Sequence, residues 1–279
     1  MSEITIRANA KINLFLEVTG KLENGYHTIS TVMQSVGLSD FITVRENSSK
    51  EIRIISDSEK MPTDSTNIAF RTAKAFFDKG NIQERGIDIN IEKNIPMEAG
   101  LAGGSADGAA VLLALNQIYD NLFSTHELCE IGALIGADIP FCITKSAMLA
   151  EGIGDILSPC YPLPDCNIVI AKCVEGVSTK WAYAEIDKIP NRVIRENNMP
   201  LLLESRDLHA ICRGMYNCFE QLVPAILPIK DIMYASGCIG CMMSGSGTSV
   251  FGIFDNGEKA KKAKNTFTEL GISAYICAP

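Results

Sequence analysis

No stretch of this sequence approaches the run of about 20 apolar residues that a membrane helix needs, so a helical membrane protein is not expected. The first fifteen residues, MSEITIRANAKINLF, are interrupted by Arg7 and Lys11 and do not read as a secretory signal. Net positive charge is also missing. The formal charge is −8, which disfavours general nucleic-acid binding and means that an anionic ligand must be met by local donors. Histidine is scarce, three in 279 residues. The single CxxC, Cys238 to Cys241, has neither a second CxxC nor an HxxxH to complete a zinc set. The ten cysteines are expected as reduced thiols in cytoplasm, and this pair as small residues where a strand begins. Internal repeats and low-complexity tracts are absent. No GxSxG surrounds Ser105, Ser244 or Ser246, which argues against the nucleophile-elbow hydrolases.

What is present is a large apolar fraction, 47%, enough for a sizeable core in one large domain or two modest ones. ITIRANAKINLFLEV is expected to form a strand pair or one bent strand. In its second half Ile12, Leu14, Leu16 and Val18 alternate onto one face, and Lys11, Asn13 and Glu17 onto the other with Phe15. LENGYHT follows as a turn, Asn24-Gly25 suiting positive φ. FITVRE and EIRIIS read as strands, TNIAFRTAKAFFDKG as an amphipathic helix ended by Gly80, and GIDINIEK as an alternating strand. A helix is expected after Ser105, and another over STHELCEIGALIG with Ser124-Thr125 at its start. GADIPF reads as a turn, because Pro140 ends helical geometry; CITKSAMLAEG and CNIVIAKC read as strands. ILSPCYPLPD, with three prolines, is the expected domain boundary, dividing the chain into residues 1–157 and 158–279. Beyond it, CIGCMMSGSGTSVFGIF reads as strand, glycine turn and strand, GEKAKKAKNTFTELG as a helix, and ISAYICA as a strand. This order implies an α+β fold with an open sheet in the second half.

The glycine-rich stretch NIPMEAGLAGGSADGAAVLLAL, Asn94 to Leu115, carries no lysine, and the Walker pattern GxxxxGK[ST] fails on it. Gly100, Gly103 and Gly104 still allow close approach of a ligand to the backbone. The unpaired amides and positive dipole end of the following helix would make an anion site without a lysine. Ser105 adds a hydroxyl at the cap, suited to phosphate or to a water on Mg2+. The plainer alternative is a helix start with glycines for close packing. The G-x-x-G-G spacing does not fit the Rossmann fingerprint.

Two further blocks, ANAKINLFLEVTGKLENGYH and MSGSGTSVFGIF, stand with this loop in a fixed order. With them the sequence resembles the GHMP kinase superfamily over nearly the whole chain. AKINLFLEV with GYH looks most like the branch acting on a cytidine-diphosphate derivative of methylerythritol in the non-mevalonate isoprenoid route, and GADIPF matches that branch too. AGLAGGSAD and SGSGTSVF are shared more widely. The resemblance implies the two-domain GHMP kinase fold, with an N-terminal ribosomal protein S5 domain 2-like part and a C-terminal ferredoxin-like α/β plait. It implies a cytoplasmic transferase of terpenoid biosynthesis that uses ATP and Mg2+ to phosphorylate a hydroxyl of the erythritol moiety. No protein metal ligand, nucleic-acid partner or membrane partner is implied, and the chain is expected as a monomer or homodimer. The alternatives are another small-molecule kinase of the superfamily, of the mevalonate or homoserine type, and a catalytically silent binding protein on the same fold.

By the same resemblance Asp138 is the catalytic aspartate and Lys11 its partner, so that a lysine from the first strands replaces the missing loop lysine. Pro96, Met97, Glu98, Ala99, Gly100, Leu101, Ala102, Gly103, Gly104, Ser105 and Ala106 form the ATP loop. Asn13 orients the substrate or Asp138. Tyr26, His27 and Tyr183 match the cytidine site, with Thr179 a nearby polar contact and Trp181 a rival for the stacking role. Ser244, Gly245, Ser246 and Gly247 form a second glycine loop that closes the active site. Each has an ordinary reading when taken alone: Asp138 an Asx-turn, Lys11 a solvated strand lysine, Tyr183 a core aromatic, residues 244–249 a tight hairpin. His126 and His209 match no role. Two positions depart from the family pattern. Glu98 stands where a small residue, often glycine, is common, and is expected to point to solvent. Gly108 replaces a usual alanine, at roughly 1 kcal/mol in a helix.

Overall fold

The computed structural model describes residues 2–82, 86–172 and 176–279. In chain order the first elements are β1 (Glu3–Lys21), β2 (His27–Asn47), β3 (Ile52–Ser56), α1 (Ile68–Lys79), β4 (Gly86–Glu92), α2 (Gly103–Ile118), α3 (Thr125–Ala133) and α4 (Ile139–Thr144). Then come β5 (Ala147–Glu151), β6 (Ile156–Cys160), β7 (Asn167–Lys172), α5 (Thr179–Ile186), α6 (Met199–Ser205), α7 (Leu208–Gly214) and β8 (Tyr216–Asn217). The last are α8 (Leu227–Ala235), β9 (Gly240–Met243), β10 (Ser249–Phe254), α9 (Gly257–Glu269) and β11 (Ser273–Cys277). Two compact units result. One gathers residues 1–10, 39–95 and 102–145; the other gathers 11–38, 96–101 and 146–279. The division expected at 157/158 follows the chain, whereas these units do not, because β1 and β2 each contribute to both.

In the first unit, β4 lies between β3, parallel to it, and the end of β2, antiparallel to it. The alternation of GIDINIEK puts Ile87, Ile89 and Ile91 on a fully buried face. Helix α1 starts where the Asn67 side chain accepts from the Ala69 amide, and it stops at Gly80. Its Ala69, Ala73, Phe76 and Phe77 are buried. Helix α2 packs on α1 so closely that a Cβ on Gly108 would lie 2.9 Å from Ile68 Cγ2 and 3.0 Å from Thr72 Cγ2. This contact accounts for glycine where alanine is usual. Helix α3 opens where expected, behind Ser124, which forms a capping box with Glu127.

Several expectations need correction. GADIPF is not only a turn: Pro140 is the second residue of α4, in the first turn, where a residue without an N–H loses nothing. Cys142 to Thr144 are therefore helical, and the strand expected over CITKSAMLAEG begins at Ala147. Helix α2 begins at Gly103, not after Ser105. Of the two readings of the first segment, a strand pair or one strand, the structure has the single strand, of 19 residues. The early half of β2, HTISTVMQSVGLSD, is a strand that the pattern did not reveal, because polar and apolar residues alike are buried there. ILSPCYPLPD contains β6, which among the described residues pairs with β5 alone; an edge position tolerates Pro159.

In the second unit, the start of β2 pairs with β5, and Phe15 and Leu16 of β1 pair with β8. A separate sheet has the order β11-β7-β10-β9, with every neighbour antiparallel. That is the fourth, first, third and second strand of a β-α-β-β-α-β unit, the ferredoxin-like order. Helices α8 and α9 bury Met233, Ala260, Ala263 and Phe267 with Val169, Val250 and Phe254 of the sheet. Each large apolar side chain buried this way contributes about 1.5–3 kcal/mol of transfer free energy. Cys173, the last residue of the expected CNIVIAKC strand, lies outside the described residues. Among the described residues the cysteines are free thiols, no three His, Cys, Asp or Glu residues gather as metal ligands, and no helix is long and apolar enough to cross a membrane.

Candidate active site

Lys11 and Asn13 sit two residues apart on β1, so the strand puts both on one face. Both are buried, at 5% and 3% exposure, rather than solvated. Lys11 Nζ donates to Asn13 Oδ1 at 2.6 Å. Asn13 Nδ2 donates to Thr31 Oγ1 at 2.8 Å, and that hydroxyl donates to the Phe15 carbonyl at 2.6 Å. This relay orients the amide so that its oxygen faces Lys11. The same oxygen accepts from the Gly245 amide at 3.0 Å. The second glycine loop is thereby tied to the strand, and it turns through left-handed Gly245 and Gly247.

Residues Pro96 to Leu101 belong to the same unit, and four of their carbonyls are bonded to it. The Met97 carbonyl accepts from Lys172 Nζ at 2.5 Å, and the Gly100 carbonyl from Ser244 Oγ at 2.9 Å. Ala99 accepts from the Ser249 amide at 3.3 Å and Leu101 from the Lys11 amide at 3.1 Å. Among the described residues, the amides of Glu98, Ala99, Gly100 and Leu101 donate to no protein group. The stretch thus engages its acceptors and presents its donors, as an anion site requires. Gly100 is obligatory: its φ is +72°, and a Cβ would meet the Ser244 carbonyl oxygen at 2.1 Å. Glu98 is exposed, at φ +52°. A left-handed L-residue is strained by about 1–2 kcal/mol, which gives a backbone reason for the family's small residue there.

His27 opens β2 and stacks on Tyr183 of α5, with centroids 4.8 Å apart and planes at 26°. Its Nε2 lies 2.7 Å from Asp187 Oδ1, and Lys21 Nζ donates to Asp187 Oδ2 at 2.5 Å. The Lys21 hydrogen bond, with His27 adding to it, holds the Asp187 carboxyl below the usual carboxylate range. Tyr183 also meets Phe219 edge-on at 5.1 Å. Tyr26 and Trp181 are largely open to solvent, at 63% and 43% exposure. The structure therefore brings His27 and Tyr183 together and leaves the other two aromatics apart. Thr179 opens α5 behind the Ser178 cap, and its Oγ1 lies 3.0 Å from Ser246 Oγ of the second glycine loop.

Ala102 to Ala106 belong to the first unit. Ala102, at φ +56°, is the N-cap of α2 and offers no side-chain cap. The first amides of α2 are orphans at the positive end of its dipole. Ser105, expected at the cap, is the third residue of the helix. Its Oγ lies 3.7 Å from where a Cβ on Gly136 would be, so the segment before α4 packs on this first turn. Asp138 ends that segment, half-buried, at the N-cap of α4. Its carboxylate makes no cap hydrogen bond, and Pro140 has no N–H for an Asx-turn, so the ordinary structural role is unfilled.

Three further charged residues of the first unit escape sequence reasoning. Lys93 Nζ donates to Asp40 Oδ2 at 2.5 Å and to Asp107 Oδ2 at 2.9 Å. Both carboxylates are buried. Burial pushes the Asp107 carboxyl up to about 7 against the opposing pull of Lys93. Only one signal was available, an acid on the otherwise apolar face of α2, and it names no partner.

The patterns described as "GHMP kinases N terminal domain" and "GHMP kinases C terminal" match residues 67–146 and 199–273. A 4-diphosphocytidyl-2-C-methyl-D-erythritol kinase of Clostridioides difficile (strain 630) is 40% identical over 99% of this chain and 95% of its own. The kinase of the same name from Alkaliphilus metalliredigens (strain QYMF) is 40% identical over 99% and 96%. A crystal structure of 4-(cytidine 5'-diphospho)-2C-methyl-D-erythritol kinase matches with a TM-score of 0.83 at 29% identity, covering 99% of this chain and 98% of that one. Mevalonate kinase of Methanococcus jannaschii, at 17% identity and a TM-score of 0.77 over 99% of this chain and 98% of its own, shares the fold. The chain belongs to the GHMP kinase superfamily and, within it, to the family of 4-diphosphocytidyl-2-C-methyl-D-erythritol kinases.

Proposed function

We propose that this chain transfers the γ-phosphoryl group of ATP to a hydroxyl of 4-diphosphocytidyl-2-C-methyl-D-erythritol, a step of the non-mevalonate route to isoprenoids. The 40% identity over 99% of the chain with the Clostridioides difficile kinase of that name carries this reading. The amides of residues 98–101, which donate to no group among the described residues, receive the phosphates. The acceptor oxygen forms a bond to the γ-phosphorus as the bond to ADP breaks, and Asp138, unoccupied by capping, takes the hydroxyl proton. The Lys11 ammonium, held by Asn13, offsets charge on the transferring group. The His27–Tyr183 pair, backed by Asp187 and Lys21, recognises the cytosine.

Magnesium fits as an ion carried in on the nucleotide. No protein cluster of three ligands exists for it among the described residues, and Mg2+ commonly takes few protein ligands beside phosphate oxygens. Ser105 at the start of α2 would hold it or one of its waters. When bound, it neutralises phosphate charge.

A coupled assay of ADP release tests the reading against three acceptors: 4-diphosphocytidyl-2-C-methyl-D-erythritol, mevalonate and homoserine. Turnover of the first alone is expected. Comparable kcat/KM for mevalonate or homoserine, or binding of the cytidylyl compound without turnover, would reject it.

A further inference from the structure

The Asp40–Lys93–Asp107 cluster is unusual in its economy of charge: one ammonium serves two carboxylates that are both 0% exposed. Burying such groups is costly, and apolar residues of similar volume often stabilise a fold as well or better. The cluster's connections suggest what it does instead. Asp40 Oδ1 accepts from the Asn94 and Ile95 amides at 2.5 and 2.8 Å, the last two residues of this unit before Pro96. Asp40 Oδ2 accepts from Lys93. Lys93 in turn bonds Asp107, one turn into α2. Its Nζ lies 3.5 Å from where a Cβ on Gly103 would be, against the first residue of that helix. Asp107 Oδ1 is buried without a hydrogen-bond partner among the described residues, so Lys93 is the group that anchors this carboxylate.

We propose that Asp107, acting through Lys93 and Asp40, is a positioning residue for the nucleotide. The cluster pins the first turn of α2 to the backbone that leads into the glycine-rich stretch, fixing both ends of the segment that offers its amides. This inference rests on the reading that those amides receive the ATP phosphates. Small displacements of such donors matter, since misplacement by about 1 Å can change rates by about a hundredfold.

The test measures KM for ATP and for the cytidylyl acceptor, and separately the affinity for a non-hydrolysable ATP analogue without acceptor. Asp107→Asn keeps an oxygen facing Lys93 and should leave ATP KM within about threefold. Asp107→Ala removes the tie. It should raise ATP KM and weaken the analogue by about tenfold or more, with acceptor KM within about twofold. If Asp107→Ala does not fold, Lys93→Met with Asp107→Leu replaces the pair by apolar volume. It leaves Asp40 its backbone donors and is judged by the same split. A folded variant of either kind with unchanged ATP KM, or with acceptor KM altered as much as ATP KM, overturns the proposal. A wild type that binds the analogue but does not turn over the acceptor overturns the functional reading instead, and leaves the affinity comparison standing.

Discussion

Asn13 Oδ1 accepts from Lys11 Nζ at 2.6 Å, and also from the Gly245 amide at 3.0 Å and, at the long limit, from Ser244 Oγ at 3.5 Å. One side chain on the first strand therefore orders both the ammonium and the second glycine loop. Asn13→Ala strips the acceptor from a buried ammonium and an amide, and takes from the Thr31 hydroxyl oxygen its donor. An unsatisfied buried polar group costs about 1–3 kcal/mol, so kcat should fall by about ten- to a hundredfold. Steady-state kinetics with a thermal melt check this; a folded variant with wild-type kcat contradicts the arrangement.

Asp138→Asn should preserve the fold, because the carboxylate does not cap α4, and should lower kcat by about 10²–10⁴. Substrate KM values should change little. Retention of more than a tenth of wild-type kcat would reject the proton-accepting role.

The cytosine reading separates four aromatic or imidazole groups. His27 and Tyr183 form one stacked unit, while Trp181 stands apart in solvent. His27→Ala and Tyr183→Ala should raise KM for the cytidylyl acceptor by about tenfold, the scale of one base-stacking contact, with ATP KM unchanged. Trp181→Ala should do neither. The reverse pattern makes Trp181 the stacking residue.

Stability should carry the mark of Asp107. Its carboxyl is pushed up to about 7 from an ordinary 3.8, chiefly by burial. The folded state therefore binds this proton more tightly than the unfolded chain does. Between about pH 4 and 7 the folded state holds the extra proton, so this group's contribution to stability declines as pH rises through that window. Asp107→Asn removes the titration and serves as the reference. Melting both proteins at pH 5, 6, 7 and 8 should show the wild type losing ground to the variant as pH rises; a gain by the wild type contradicts the buried, neutral-favouring site.

These predictions divide according to what the sequence reveals. Strict alternation marked β4, and helical periodicity with Gly80 marked α1. The first block pointed to Lys11 and Asn13, and GADIPF to Asp138, through the resemblance that they carry. The early half of β2 stayed hidden because it is buried on both faces and so lacks polar contrast. Pro140 misled because a proline that cannot continue a helix can begin one. The Asp40–Lys93–Asp107 cluster stayed hidden because its members lie 53 and 14 residues apart, joined only through tertiary packing.

Glu98 is the last case, and two effects act on it together. Its backbone is left-handed at φ +52°, a strain of about 1–2 kcal/mol that glycine does not have. Glycine also has the more flexible unfolded chain, which returns roughly 0.5–1 kcal/mol. Glu98→Gly should therefore shift stability by only about 0–1.5 kcal/mol, upward. The side chain is exposed, and across about 8 Å at an effective dielectric of about 40 it repels a unit of phosphate charge by about 1 kcal/mol. ATP KM should stay the same or fall modestly, by up to about fivefold, and kcat should stay within about threefold. Any gain in ATP affinity should shrink with added salt, because exposed charges are screened over about 8–10 Å near physiological ionic strength. Strain relief, by contrast, does not respond to salt. Melts and ATP KM at two salt and two Mg2+ concentrations thus separate the two effects. A kcat drop beyond about a hundredfold that excess Mg2+ restores would place Glu98 at the metal and defeat the reading of it as a strained bystander.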